Sequence, residues 1–177
     1  MAMQAKYLAA LAGLFALWMA QPAAAAGQEP DRVSIPADGK NEPATLDAML
    51  FKPQGQGPFP AIAAMHGCSG LWSSKNGAEL SPRHADWGQR LSALGYVVIF
   101  PDSYGSRGLG SQCKNGDREV EPYRERVEDA NAARRYLQTL PYVKSAAIAL
   151  LGWSNGGSTV LYTVRPKHTP KAGSPGL

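Results

Sequence analysis

The chain has 177 residues, with 18 Lys or Arg against 14 Asp or Glu and a net charge of +4. That excess is small and scattered, with no basic helix face and no aromatic-interleaved Lys/Arg run, so no nucleic-acid partner is expected. The length suits one domain, and two cysteines far apart without a C-x-x-C give no argument for zinc or another metal.

The first 26 residues combine Lys6, an apolar run from Tyr7 to Ala20, the helix-breaking Pro22 and an alanine cluster, Ala23 to Ala26. Charge, apolar core and small-residue site are the layout of a secretory signal, cleaved after Ala26 or Ala25. The alternative is an uncleaved anchor, since Tyr7 to Ala26 could span a bilayer. Cleavage makes the expected product exported, periplasmic or secreted, and no second apolar run is long enough to cross a membrane. Export permits a bridge between Cys68 and Cys113, worth about 4 kcal/mol on the chain-entropy view. Two free thiols are the alternative.

After the signal, RVSIPA and TLDAMLFKP are short β-type runs, the second with Leu46, Ala48 and Leu50 in period-two alternation. PQGQGPFP is a Gly- and Pro-rich turn. AIAAMHG (61–67) is a continuous apolar run ending in glycine, suited to a strand buried on both faces. An irregular stretch follows to about Arg83. Trp87, Leu91 and Leu94 at i, i+4 and i+7 then mark an amphipathic helix closed by Gly95.

YVVIFP (96–101) is the second buried strand, and DSYGSRGLGSQCKNGD is a long loop of the kind that carries function when strands hold its ends. Val127, Ala130, Ala133, Leu137 and Leu140 form a helical stripe ended by Pro141. AAIALLG (146–152) is the third buried strand, and NGGSTVLYTV starts a helix behind a sharp turn. The order β, α, β, α, β, α predicts an α/β fold, a mostly parallel sheet with helices on both faces.

At that turn, Gly152-Trp153-Ser154-Asn155-Gly156 fits G-x-S-x-G, the nucleophile elbow. The pattern is steric: the serine holds strained angles, and the two glycines let strand and helix approach. Ser154 is therefore the candidate catalytic nucleophile. A transition-state oxyanion needs donors, and the expected ones are the backbone N–H groups of Asn155 and, from MHGCSG, of Cys68. His66 in that loop is either a general base or a residue that hydrogen-bonds the loop into shape.

MHGCSG, PRHADWGQRLSALGYVVIFPDSYGSRG and GWSNGG together resemble the dienelactone hydrolase family of the α/β-hydrolase superfamily, in its exported serine-nucleophile form. The resemblance runs from about Pro58 to about Tyr162. It implies an α/β-hydrolase fold, hydrolysis of a small-molecule ester or lactone, no cofactor, and Ser154 as nucleophile. It also implies that Asp102-Ser103 and Arg107-Gly108 line the mouth of the site, a loop salt bridge being the alternative for Asp102 and Arg107.

In this fold the triad runs Ser, then Asp or Glu, then His. Here the last acidic residue is Asp129, and one histidine, His168, follows Ser154. The acid and base are thus expected to be missing from this chain, which reads as C-terminally truncated: residues 27–164 the N-terminal part of a hydrolase domain, 165–177 a disordered tail. The third strand should then be left as an exposed edge. The competing readings are a catalytically inactive binding domain and a rearranged set using His66 or His168 as base with Asp102 as acid. Oligomeric state is not legible.

Overall fold

The computed structural model describes residues 29–37, 45–75, 77–114, 116 and 118–168. The signal expected over 1–26 and the end of the expected tail, 169–177, lie outside the described residues. Five strands, β1 (Asp31–Pro36), β2 (Thr45–Phe51), β3 (Phe59–Met65), β4 (Val97–Pro101) and β5 (Val143–Gly152), form one sheet in the order β1-β2-β4-β3-β5. β4, β3 and β5 are parallel, whereas β1 pairs antiparallel with β2 and β2 with β4. The sheet is therefore mixed, with the expected parallel strands at its functional end.

Alternation explains how the strands are covered. Leu46, Ala48 and Leu50 point with Ala61, Ala63, Val97 and Ile99 to one face, where helix α2 (Glu125–Thr139) supplies Ala132, Ala133 and Leu137. Phe51, Ile62, Ala64, Val98 and Phe100 point to the other, under Leu71 and the helix α1 (Pro82–Ala93). All five residues of β4 are buried, as a strand covered on both faces requires. Helix α3 (Asn155–Thr163) packs beside α2 and against β5 and β3.

Two expectations need correction. Of the Trp87–Leu91–Leu94 stripe, Leu91 alone packs against the core: Trp87 is 41% and Leu94 72% exposed. The inward face of α1 carries His84, Gly88 and Ser92 instead. Gly88 has to be there, because a Cβ would overlap the Phe51 ring. His84 turns inward because its Nδ1 lies 2.8 Å from Ser81 Oγ and 3.1 Å from the Leu71 carbonyl. The second correction is β5, expected to be buried on both faces. It pairs with β3 alone among the described residues and is largely exposed between Lys144 and Ala149.

Candidate active site

The elbow forms where β5 meets α3. Ser154 has φ 52° and ψ −119°, alone among described non-glycine residues in having a positive φ. Nothing local favours these angles for a residue with a Cβ, so the surrounding packing must hold them. Gly152 and Gly156 show how. A Cβ on Gly152 would run into the Gly156 carbonyl group, and one on Gly156 into the Met65 carbonyl oxygen. Helix and strands thus touch backbone to backbone, and the turn between them leaves Ser154 exposed.

The loop after β3 lies against this turn: a Cβ on Gly67 would sit 3.7 Å from Ser154 Cβ. Cys68 follows in that loop and Asn155 opens α3. Among the described residues, neither backbone N–H has a hydrogen-bond acceptor. The Cys68 carbonyl is engaged instead, accepting from the Gln112 N–H at 2.8 Å. Cys68 and Cys113 are joined by a disulfide that closes a separation of 45 residues. Bridge and hydrogen bond tie the 102–124 loop to the loop that carries Cys68.

His66 is fully buried, with both ring nitrogens occupied. Nδ1–H donates to the Gly67 carbonyl at 2.8 Å, and Nε2 accepts from the Ser103 N–H at 3.1 Å. Burial, then the nearby Arg126 charge, holds the imidazole well below its ordinary range, so the ring is neutral. This is the loop-shaping alternative rather than the general base. Asp102 is buried too. Its Oδ2 accepts from Trp72 Nε1–H at 2.6 Å, while Oδ1 accepts from the Tyr104 and Gly105 N–H groups at 3.2 and 2.9 Å. The carboxylate closes a turn on itself, with His66 Nε2 4.0 Å away.

Arg107 forms a salt bridge, with Asp129 rather than Asp102. Its two terminal nitrogens meet both carboxylate oxygens at 3.1 and 2.8 Å, and one also donates to the Ser103 carbonyl at 2.6 Å. Burial raises the Asp129 carboxyl, and Arg107 opposes that rise.

Beneath the elbow lies a residue the sequence reading did not single out. Arg126, the bulkiest fully buried side chain among the described residues, donates to Asn155 Oδ1, to the His66 carbonyl at 2.6 Å, and to Tyr104 Oη and Ser103 Oγ at 3.4 Å each. Burial lowers its affinity for a proton, although a guanidinium remains charged at any ordinary pH. A signal existed: Arg126, Ala130, Ala133 and Leu137 follow i, i+4, i+7 and i+11, so Arg126 extends the buried stripe by one turn. Its charged neighbours Arg124, Glu125 and Glu128 disguise it as part of a solvated helix start.

No imidazole among the described residues hydrogen-bonds to Ser154 Oγ. The His168 carbonyl is 3.5 Å from Asn131 Nδ2 on α2, and its Nε2 is buried without a partner. No group of three or more His, Cys, Asp or Glu able to hold a metal occurs among the described residues. A groove of about 440 Å³ lined by Arg32, Phe51, Trp72 and Leu80 lies elsewhere, and none of Ser154, Cys68 or Asn155 lines it.

Comparison with known proteins follows the same outline. The family model of the prolyl oligopeptidase family matches residues 83–171, half of the chain. A protein of Metarhizium robertsii described as a probable dipeptidyl-aminopeptidase B is 37% identical over 73 residues, 41% of this chain and 8% of the relative. Among solved structures, dipeptidyl peptidase 4 of Porphyromonas gingivalis superposes with TM-score 0.56 at 24% identity, over 78% of this chain and 19% of that one. A structure described as a dienelactone hydrolase of Klebsiella pneumoniae gives TM-score 0.58 at 19% identity, over 78% of this chain and 55% of that one. The chain thus spans little more than half of the shortest of these and far less of the others. The structural likenesses establish the fold, an α/β-hydrolase. The resemblance to dienelactone hydrolases holds at the level of that superfamily, and the matched family model is a different one.

Proposed function

The chain belongs to the prolyl oligopeptidase family, and from that premise we propose that Ser154 is the nucleophile of a serine hydrolase that forms an acyl-enzyme. The single observation carrying this reading is the Ser154 backbone, φ 52° and ψ −119°, held between Gly152 and Gly156. Such a turn presents the hydroxyl at a helix start beside two unengaged N–H groups, those of Cys68 and Asn155. Ser154 Oγ attacks an acyl carbonyl carbon, its proton passes to solvent, and the developing oxyanion is met by the two N–H groups. Collapse expels the leaving group, and water then hydrolyses the acyl-enzyme. Each donor contributes on the order of 3 kcal/mol to such a step.

Among acyl substrates, carboxylic esters or lactones suit these residues best. Expelling an amine requires a general acid, and no described imidazole reaches Ser154. An activated phenolate leaves unprotonated. Peptide or acyl-peptide cleavage is the second reading, favoured by the family match over residues 83–171. It requires an acid and a base that reach Ser154 Oγ, which in the α/β-hydrolase order come after the nucleophile. We also read the chain as exported, a reading supported by the signal-like residues 1–26 and by the Cys68–Cys113 bridge, which an oxidising compartment maintains.

The test is turnover of p-nitrophenyl acetate beside the matched p-nitroanilide, with Ser154→Ala as control. Ser154→Ala keeps the oxyanion donors, and with them the roughly thousandfold acceleration over water that these give without a nucleophile. What the hydroxyl contributes is the turnover of wild type above that control. The wild type should therefore exceed Ser154→Ala on the ester and equal it on the anilide. Equality on both substrates refutes the hydrolase reading for this chain, and anilide cleavage above the control selects the peptidase reading.

A further inference from the structure

We propose that Arg126 is the positioning residue of the oxyanion site, one guanidinium that sets the separation of the two backbone donors. This rests on the reading of Ser154 as nucleophile and adds a residue to it. The two N–H groups come from separate pieces of chain, Cys68 from the loop after β3 and Asn155 from the start of α3, and they are 87 positions apart in sequence. They can act on one oxygen only if something fixes those two pieces relative to each other.

Arg126 touches both. One terminal nitrogen donates to Asn155 Oδ1, so the residue that supplies one donor is held by its own side chain. The other terminal nitrogen donates to the His66 carbonyl at 2.6 Å, two residues before Cys68. The guanidinium is planar and rigid, so two acceptors on one end are held at a set spacing, which a lysine ammonium could not do. The side chain is in turn braced. The Tyr104 ring lies beneath the guanidinium at 5.2 Å, Tyr104 Oη donates to the same Asn155 oxygen at 3.3 Å, and Ser103 Oγ receives the Nε–H. Ser103 also donates its backbone N–H to His66 Nε2, closing the ring of contacts.

A buried cation with no bidentate carboxylate of its own is costly. Asp129 is instead taken by Arg107 in a paired geometry. What Arg126 holds are a carbonyl and an amide oxygen from the two pieces that form the site, and two hydroxyls from the loop after β4. Its charge, held against Asn155 Oδ1 and the His66 carbonyl, has the sign that favours a negative charge developing nearby.

The test uses the full chain and a fluorophosphonate, which puts a phosphoryl oxygen where the oxyanion would be. The Ser154 Oγ–P bond forms, fluoride leaves, and the hydroxyl proton passes to water. Labelling rates are compared for wild type, Arg126→Met, Asn155→Ala and the double variant, each well below its own melting temperature. Asn155→Ala removes the clamped oxygen and keeps the N–H donor. Each single variant should label roughly tenfold to a hundredfold more slowly, and the double variant no more slowly than the worse single one, because both cut the same clamp. Unchanged labelling in folded Arg126→Met, or losses that add in the double variant, overturns the proposal. A second readout is the Cys68 amide resonance in ¹⁵N-labelled Asn155→Ala, on the far side of the clamp. It should shift, and an unmoved resonance also overturns the proposal, even if Arg126→Met does not fold. Should wild type itself resist labelling, the nucleophile reading fails, and the Cys68 resonance still decides the clamp.

Discussion

Ser154→Gly should make this protein more stable while removing its candidate nucleophile. At φ 52° and ψ −119°, Ser154 occupies a region that suits glycine and penalises a Cβ. Strain of this kind costs about 1–3 kcal/mol. Glycine releases it but adds unfolded-chain freedom, which costs about 0.5–1 kcal/mol. The Ser154 side chain has no hydrogen bond among the described residues, so its loss removes no contact there. The net gain is about 1 kcal/mol, or roughly 2–4 °C in Tm for a domain of this size. Ser154→Ala is the control, because it deletes the hydroxyl and keeps the Cβ. The assay is denaturant and thermal unfolding of the three proteins side by side. A Ser154→Gly protein no more stable than Ser154→Ala would show that the elbow is unstrained, and the steric argument for the nucleophile would fall with it.

Three further outcomes follow from the same structure. Gly156→Ala places a methyl group against the Met65 carbonyl and should cost about 1–3 kcal/mol with loss of Ser154 labelling; a neutral substitution would contradict the backbone contact between α3 and β3. His66, buried against Arg126, His84 and Asp102, is held below its ordinary value near 6.5, so the unfolded chain takes up a proton first on acidification. Stability is therefore full above about pH 6.5 and falls toward the folded value at up to about 1.4 kcal/mol per pH unit. Denaturant melts of His66→Gln should show a flatter pH dependence than wild type, and equal slopes would refute the assignment. Reducing the Cys68–Cys113 bridge opens a 45-residue loop and should lower stability by up to about 4 kcal/mol. Unfolding with and without a phosphine reductant measures it, and an unchanged midpoint means the bridge does not constrain the unfolded chain.

Much of the fold could be read along the chain because it depends on local period and turn chemistry. Period-two alternation placed Leu46, Ala48 and Leu50 on one face of β2. The apolar runs marked β3 and β4, and the stripe through Val127 and Leu137 marked α2. Reading failed at α1, where Trp87 and Leu94 fit the period but the inward face belongs to His84 and Gly88. Hydrophobicity cannot reveal that the space over Phe51 admits only a glycine. It failed again for Arg126, whose position in the stripe was hidden by charged neighbours. A buried cation depends on acceptors that the fold brings from distant segments.

The sequence by itself determined the elbow, since Gly152, Ser154 and Gly156 must stand two apart for strand and helix backbones to touch across a strained turn. Only the tertiary structure decided which partners the charged and imidazole groups take. His66 binds its own loop and Ser103, Asp102 closes its own turn, Arg107 takes Asp129, and Arg126 joins the two pieces that carry the candidate oxyanion donors. These pairings join residues up to 60 positions apart, and their energy depends on burial and angle, which exist only once the chain has packed.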